Sequence, residues 1–230
     1  MLSTQLLVVS LGSLALVAAQ GAVNCPELPD TGVTMGEPVP MHPEHIPTGC
    51  SDFEILVARG TSEPNYETGG GKFGIVVGDP VVSNTTLKLP GARGYPVQYP
   101  ASSDIVSGTI RGSLDVVRRL RSQAVACPNQ TFALVGYSQG AGVMHAAAKD
   151  IPVHLYSRIK SLVMFGDGYR RLGDVLSRFP VGLNSKVMQV CAEGDPVCDT
   201  SGECVYYHLT YIRPDYINPV VNFIVRGFTG

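Results

Sequence analysis

The chain has 230 residues, 44% of them hydrophobic and 16% charged, enough for one domain with a full core and too apolar for a disordered chain. With 17 basic and 19 acidic side chains the formal net charge is −2. That balance excludes an electrostatic attraction to nucleic acid or to an anionic membrane, and it suits an uncharged substrate.

Residues 1–19 carry no Lys, Arg, Asp or Glu, and Val17-Ala18-Ala19 ends them with small residues. This is the pattern of a signal peptide cleaved before Gln20. As a membrane anchor the apolar run is short and lacks a basic stop-transfer flank, and no later stretch is apolar enough to span a bilayer. A secreted, extracellular protein with no stable membrane association is expected. Residues 20–50 are rich in Pro and Gly without a steady period, which predicts an irregular N-terminal arm ahead of a domain over 51–230. All six cysteines lie beyond the cleavage point, so three disulfides are expected. No pair has CxxC spacing, and no metal site is read from them. Asn84-Thr85-Thr86 and Asn129-Gln130-Thr131 are sequons and candidate glycan acceptors.

In chain order, the apolar, β-branched residues 53–58 predict a buried strand feeding the loop that begins Arg59-Gly60-Thr61. Residues 62–72, with Pro, Asn and Gly, predict a loop. Over 73–82 a helix competes with a break at Gly78-Asp79-Pro80. Strands are predicted at 94–99, 132–135, 161–165 and 186–190. Helices are predicted at 103–124, with Ile105, Ile110, Leu114, Val117 and Leu120 on its apolar face, at 141–149 and at 218–225. Apolar strands alternating with helices imply a parallel sheet covered on both sides.

Gly136-Tyr137-Ser138-Gln139-Gly140 fits G-x-S-x-G, with a strand before it and a helix of small residues after it. The motif turns sharply from strand to helix and projects Ser138 at the helix N-terminus, where free amides stabilise an oxyanion. An ordinary Gly-rich turn is the competing reading. In this arrangement an acid and then a histidine follow the serine. His42 and His45 fall in the arm, His145 on the next helix and His154 before the fourth strand; His208 alone comes late, in a predicted loop. Asp195 in Cys191-Ala-Glu-Gly-Asp-Pro-Val-Cys198 is the favoured acid, Asp167 after the fourth strand its rival. Glu193 and Asp199 read as solvated, Asp174 as a surface charge.

Taken together these residues resemble the cutinases, a family of serine esterases that also includes acetylxylan esterases. The resemblance runs from about Cys50 to the C-terminus and rests on Ala58-Arg59-Gly60-Thr61, Gly-Tyr-Ser-Gln-Gly, and Cys191…Gly194-Asp195…Cys198 followed by His208. It implies a compact α/β-hydrolase fold, a three-layer sandwich around a five-stranded parallel sheet, with an open active site. It implies a Ser138–His208–Asp195 triad, an oxyanion hole at Thr61 and Gln139, and no cofactor. It also implies the disulfides Cys50–Cys127 and Cys191–Cys198, leaving Cys25 and Cys204 to each other. The implied activity is hydrolysis of carboxylic esters, cutin polyester or short and medium acyl esters, by a monomer. An acetylxylan esterase is the alternative substrate reading. A catalytically silent secreted binding or elicitor-like protein on the same fold is the alternative of another class. Val205, Tyr206, Tyr207 and Leu209 around His208 read equally as an apolar cleft wall or as core.

Overall fold

The computed structural model describes residues 24–28, 41–63 and 72–230. The predicted signal peptide, most of the arm and all of the 62–72 loop except Ser62, Glu63 and Lys72 lie outside the described residues. Five strands, β1 (Phe53–Ala58), β2 (Ala92–Pro96), β3 (Thr131–Tyr137), β4 (Ile159–Phe165) and β5 (Val187–Val190), form one parallel sheet in the order β2-β1-β3-β4-β5. Strand side chains alternate between faces. Leu56, Leu134 and Leu162 therefore point to one face, which α2 (Ile105–Ala126) and α3 (Gln139–Asp150) cover. Ile55, Val57, Val135 and Val163 point to the other, under α1 (Gly78–Lys88) and α5 (Pro214–Thr229).

Chain direction sets where ligands go. From β1 the chain moves to β2 on one side, then returns to place β3 on the other. The carboxyl ends of β1 and β3 flank that switch point, where open α/β sheets hold their sites. Thr61 leaves the loop after β1 and Ser138 follows β3 directly.

Four readings are corrected. Gly78-Asp79-Pro80 begins α1 rather than breaking it, because a first-turn proline gives up an N–H that has no intrahelical partner. Helix α5 runs over Pro214–Thr229 rather than 218–225, with a proline in its first turn and Pro219 within it. In α2, Ile105, Ile110 and Leu114 are about half exposed. The buried contact runs instead through Gly108, Gly112, Val116 and Leu120, because the glycines let α2 settle against α3 and Tyr99. Strand β2 also lies two to three residues earlier than 94–99, where Arg93 bonds the Glu54 carboxylate and the carbonyls of Thr48 and Gly49.

All six cysteines are in disulfides: Cys25–Cys204, Cys50–Cys127 and Cys191–Cys198. The first joins the arm to the N-cap of α4 (Val205–His208), the short helix that ends in His208.

Candidate active site

Ser138 adopts φ 54° and ψ −117° between β3 and α3, a strained conformation for a residue with a Cβ. Its neighbours make the turn feasible. A Cβ on Gly140 would collide with the Ala58 carbonyl, so only glycine lets α3 come this close to β1. The Ser138 amide donates to the Phe165 carbonyl at 2.9 Å, which fixes the turn to the end of β4. The side chain stays partly exposed, and the first amides of α3 beside it lack intrahelical acceptors.

The residues around Ser138 also touch His208. Tyr137 donates its hydroxyl to the His208 carbonyl at 2.7 Å, and the two rings lie 5.0 Å apart. Gly166, next to the Phe165 that receives the Ser138 amide, packs against the imidazole so closely that a Cβ there would sit 2.8 Å from Nδ1. Nδ1 lies 2.8 Å from Asp195 Oδ2. A carboxylate only accepts, so Nδ1 carries the proton and Nε2 is left as the basic nitrogen. Nε2 is buried and has no hydrogen-bond partner.

Asp195 has no exposed surface. Its Oδ1 accepts the Val197 amide at 2.8 Å, and its Oδ2 accepts His208 Nδ1 and the Tyr211 hydroxyl, the latter at 2.5 Å. Burial pushes the carboxyl up, but these hydrogen bonds and the imidazole outweigh it and hold the group below its ordinary value. The loop is further pinned where the Gly194 amide donates to Asp199 Oδ2 at 2.9 Å. Asp199, read as solvated, is thus a partly buried brace; Glu193 and Asp174 are exposed.

Asp167, the rival acid, belongs to a second buried pair. Its Oδ2 lies 2.8 Å from His145 Nε2 and accepts Gln189 Nε2 at 2.8 Å. The His145 ring is stacked between Tyr169 and Phe179. Asp167 is committed to α3 and leaves His208 to Asp195. His154 is exposed, and His42 and His45 lie with Glu44 in the arm. Those three offer metal-type donor atoms within 4.8 Å of one another.

On the β1 side, Thr61 Oγ1 donates to Gln139 Oε1 at 3.3 Å, which brings the two expected oxyanion residues together. Beneath them Glu63, unnoticed in the sequence, accepts the Gly60 amide at 2.8 Å and the Val76 amide at 2.7 Å. Burial pushes this carboxyl up to about 7, against the pull of those two amides and of Arg59. Around His208, Val205 is exposed, whereas Tyr207 covers Gly194 and joins the core. The apolar residues next to the histidine therefore divide between wall and core.

Comparison with known proteins adds the lineage. The family model described as Cutinase matches residues 49–228. A cutinase from Hypocrea jecorina is 34% identical over 167 residues, covering 70% of this chain and 62% of the relative. The chain thus spans less than two thirds of that relative's length. A probable carboxylesterase, Culp3, from Mycobacterium tuberculosis is 31% identical over 189 residues, with 77% and 70% covered. Among solved structures, Trichoderma reesei cutinase in complex with a C11Y4 phosphonate inhibitor superposes with a TM-score of 0.65 at 28% identity, covering 86% of this chain and 82% of that one. With the strained serine, the paired imidazole and carboxylate, and a matched region reaching from the arm to the last helix, the chain belongs to the cutinase family.

Proposed function

We propose that the protein is a secreted serine esterase in which Ser138, His208 and Asp195 act as nucleophile, base and acid. The observation that carries the reading is the His208 imidazole, held through Nδ1 by Asp195 with Nε2 unpartnered, packed against the residues that flank Ser138 in space. His208 Nε2 takes the Ser138 proton as Oγ attacks the ester carbonyl. The backbone amides of Thr61 and Gln139 receive the oxyanion at the α3 N-terminus. Nε2 then protonates the departing alcohol, and a water activated by the same nitrogen cleaves the acyl-enzyme. Every proton moved is carried by His208, so this chemistry asks for no cofactor.

The substrate reading is an apolar acyl ester. Val106 is 72% exposed in the first turn of α2, two residues before the Gly108 that faces Gln139, and Val205 is 45% exposed three residues before His208. Both leave apolar surface at the serine end of the sheet. Three cystines suit an oxidising compartment outside the cell. Among the described residues no helix is long and apolar enough to cross a membrane, and a monomer is the expected form. Of the two sequons, exposed Asn129 suits a glycan; the Asn84 side-chain amide is bonded to the Pro80 carbonyl within α1.

Ser138→Ala should lower kcat on a nitrophenyl butyrate by roughly 10³-fold or more. A phosphonate ester should attach to Ser138 in the parent and leave the variant unlabelled by mass spectrometry. Parent-level turnover by the variant would overturn the assignment.

A further inference from the structure

The fixed direction of one proton gives Tyr211 a part in the reaction. Tyr211 is fully buried on the 3-10 turn after α4, three residues beyond His208. Its hydroxyl meets the Ala192 amide at 3.1 Å and Asp195 Oδ2 at 2.5 Å. The amide can only donate, so the phenol oxygen accepts there. The single phenolic proton therefore goes to Asp195. The Cys198 sulfur lies 3.4 Å from both groups, but as half of a disulfide it has no proton to give. A one-way chain results, from the Ala192 amide through Tyr211 to Asp195, on the oxygen that also accepts His208.

We infer that Tyr211 is a positioning residue for the acid–base pair: its phenol fixes the Asp195 carboxylate in the plane that His208 needs and draws off part of the charge that the imidazolium would feel. The inference rests on the triad reading. Tyr211 has no exposed surface, so it acts through Asp195 and not on substrate. Two donors hold the carboxylate from opposite ends, the Val197 amide on Oδ1 and Tyr211 on Oδ2. Without the phenol, Oδ2 would turn its whole charge on His208 and favour the protonated imidazole. Other titratable groups lie around the pair: Tyr137 of β3 against the His208 ring, Tyr207 of α4 over Gly194, Tyr216 of α5 against the Tyr211 ring, and Glu63, from the loop after β1, near Tyr137. Among the described residues none of these places a hydroxyl or carboxyl on Asp195. Tyr137 donates to the His208 carbonyl, and Tyr216 meets the Tyr211 ring edge-on, at 5.3 Å.

The test is the pH profile of kcat/KM. Tyr211→Phe should move the acid limb to higher pH by about half a unit to one unit. It should lower kcat by about tenfold or less and leave KM for a short nitrophenyl ester nearly unchanged. Tyr216→Phe, which disturbs the same aromatic packing, should leave the limb in place. Replacing Tyr211 with 3-fluorotyrosine keeps the hydrogen bond and sharpens the donor, so the limb should move the other way; it also serves if the phenylalanine variant folds poorly. An unmoved limb in both Tyr211 variants, with Ser138→Ala inactive, would overturn this inference alone. An active Ser138→Ala would overturn the site reading and this inference with it.

Discussion

Glu63 places an ionisable group beneath Thr61 and Gln139, and its shift is opposite in sign to that of Asp195. Burial raises its folded value from 4.5 to about 7, so the fold favours the protonated form. Its contribution to stability is complete below about pH 4.5 and is lost as pH rises through about 7. Asp195 and Asp167 are both held below their ordinary value of 3.8. Their contribution is present at neutral pH and lost as pH falls below that value. Melting temperatures of the parent should therefore decline from pH 5 to pH 8 more steeply than those of Glu63→Gln, whose amide resembles the protonated acid. Parallel curves would refute the assignment. The residues of the proposed triad were legible as candidates because a nucleophile motif and the order of acid and histidine constrain each other. Glu63 and Tyr211 were not. A glutamate beside a Gly-rich loop looks solvated, and a lone tyrosine near an apolar helix looks like core. Only the fold, by burying both next to backbone amides, gives them a task.

At the scale of elements, the α2–α3 contact depends on how little the facing residues protrude. A Cβ on Gly112 would sit 2.8 Å from Val143 Cγ2, and Val143 is β-branched and cannot swing aside. On Gly142, within α3, a Cβ would meet nothing nearer than 3.8 Å. Gly142→Ala should therefore raise stability by about 0.5–1 kcal/mol through helix propensity. Gly112→Ala should lower it by about 1 kcal/mol, because overpacking outweighs the same gain. Chemical denaturation of the two variants reads both signs. This contact also shows why periodicity misled. Ile105, Ile110 and Leu114 have helical spacing, but the stripe that touches α3 is marked by glycines, and a hydrophobicity pattern gives small residues no weight. The strands were easier to read, since burial on both faces makes them continuously apolar. The helix starts at Gly78 and Pro214 were obscured because proline, here Pro80 and Pro214, is tolerated in a first turn as readily as it ends a helix.

Across the whole molecule, the bridge from Cys25 to Cys204 spans 179 positions of sequence. Cys204 caps the helix that carries His208, so one cystine bears on both global stability and the footing of the proposed base. Removing it through Cys25→Ser with Cys204→Ser should cost about 3–5 kcal/mol in denaturant unfolding. An unchanged midpoint would mean that the arm contributes nothing to the fold. Of the two remaining cystines, Cys50–Cys127 ties the entry to β1 to the end of α2 across 77 positions, and Cys191–Cys198 closes a short loop around Asp195.

That long bridge also makes the protein a covalent ring with a tail. All five strands lie on the ring, while α4 and α5 trail from the knot. A protease that cuts once anywhere between the two half-cystines opens the loop without freeing a fragment. The nicked molecule keeps its mass until a reductant is added, and with it the means to hold serine and histidine on one body.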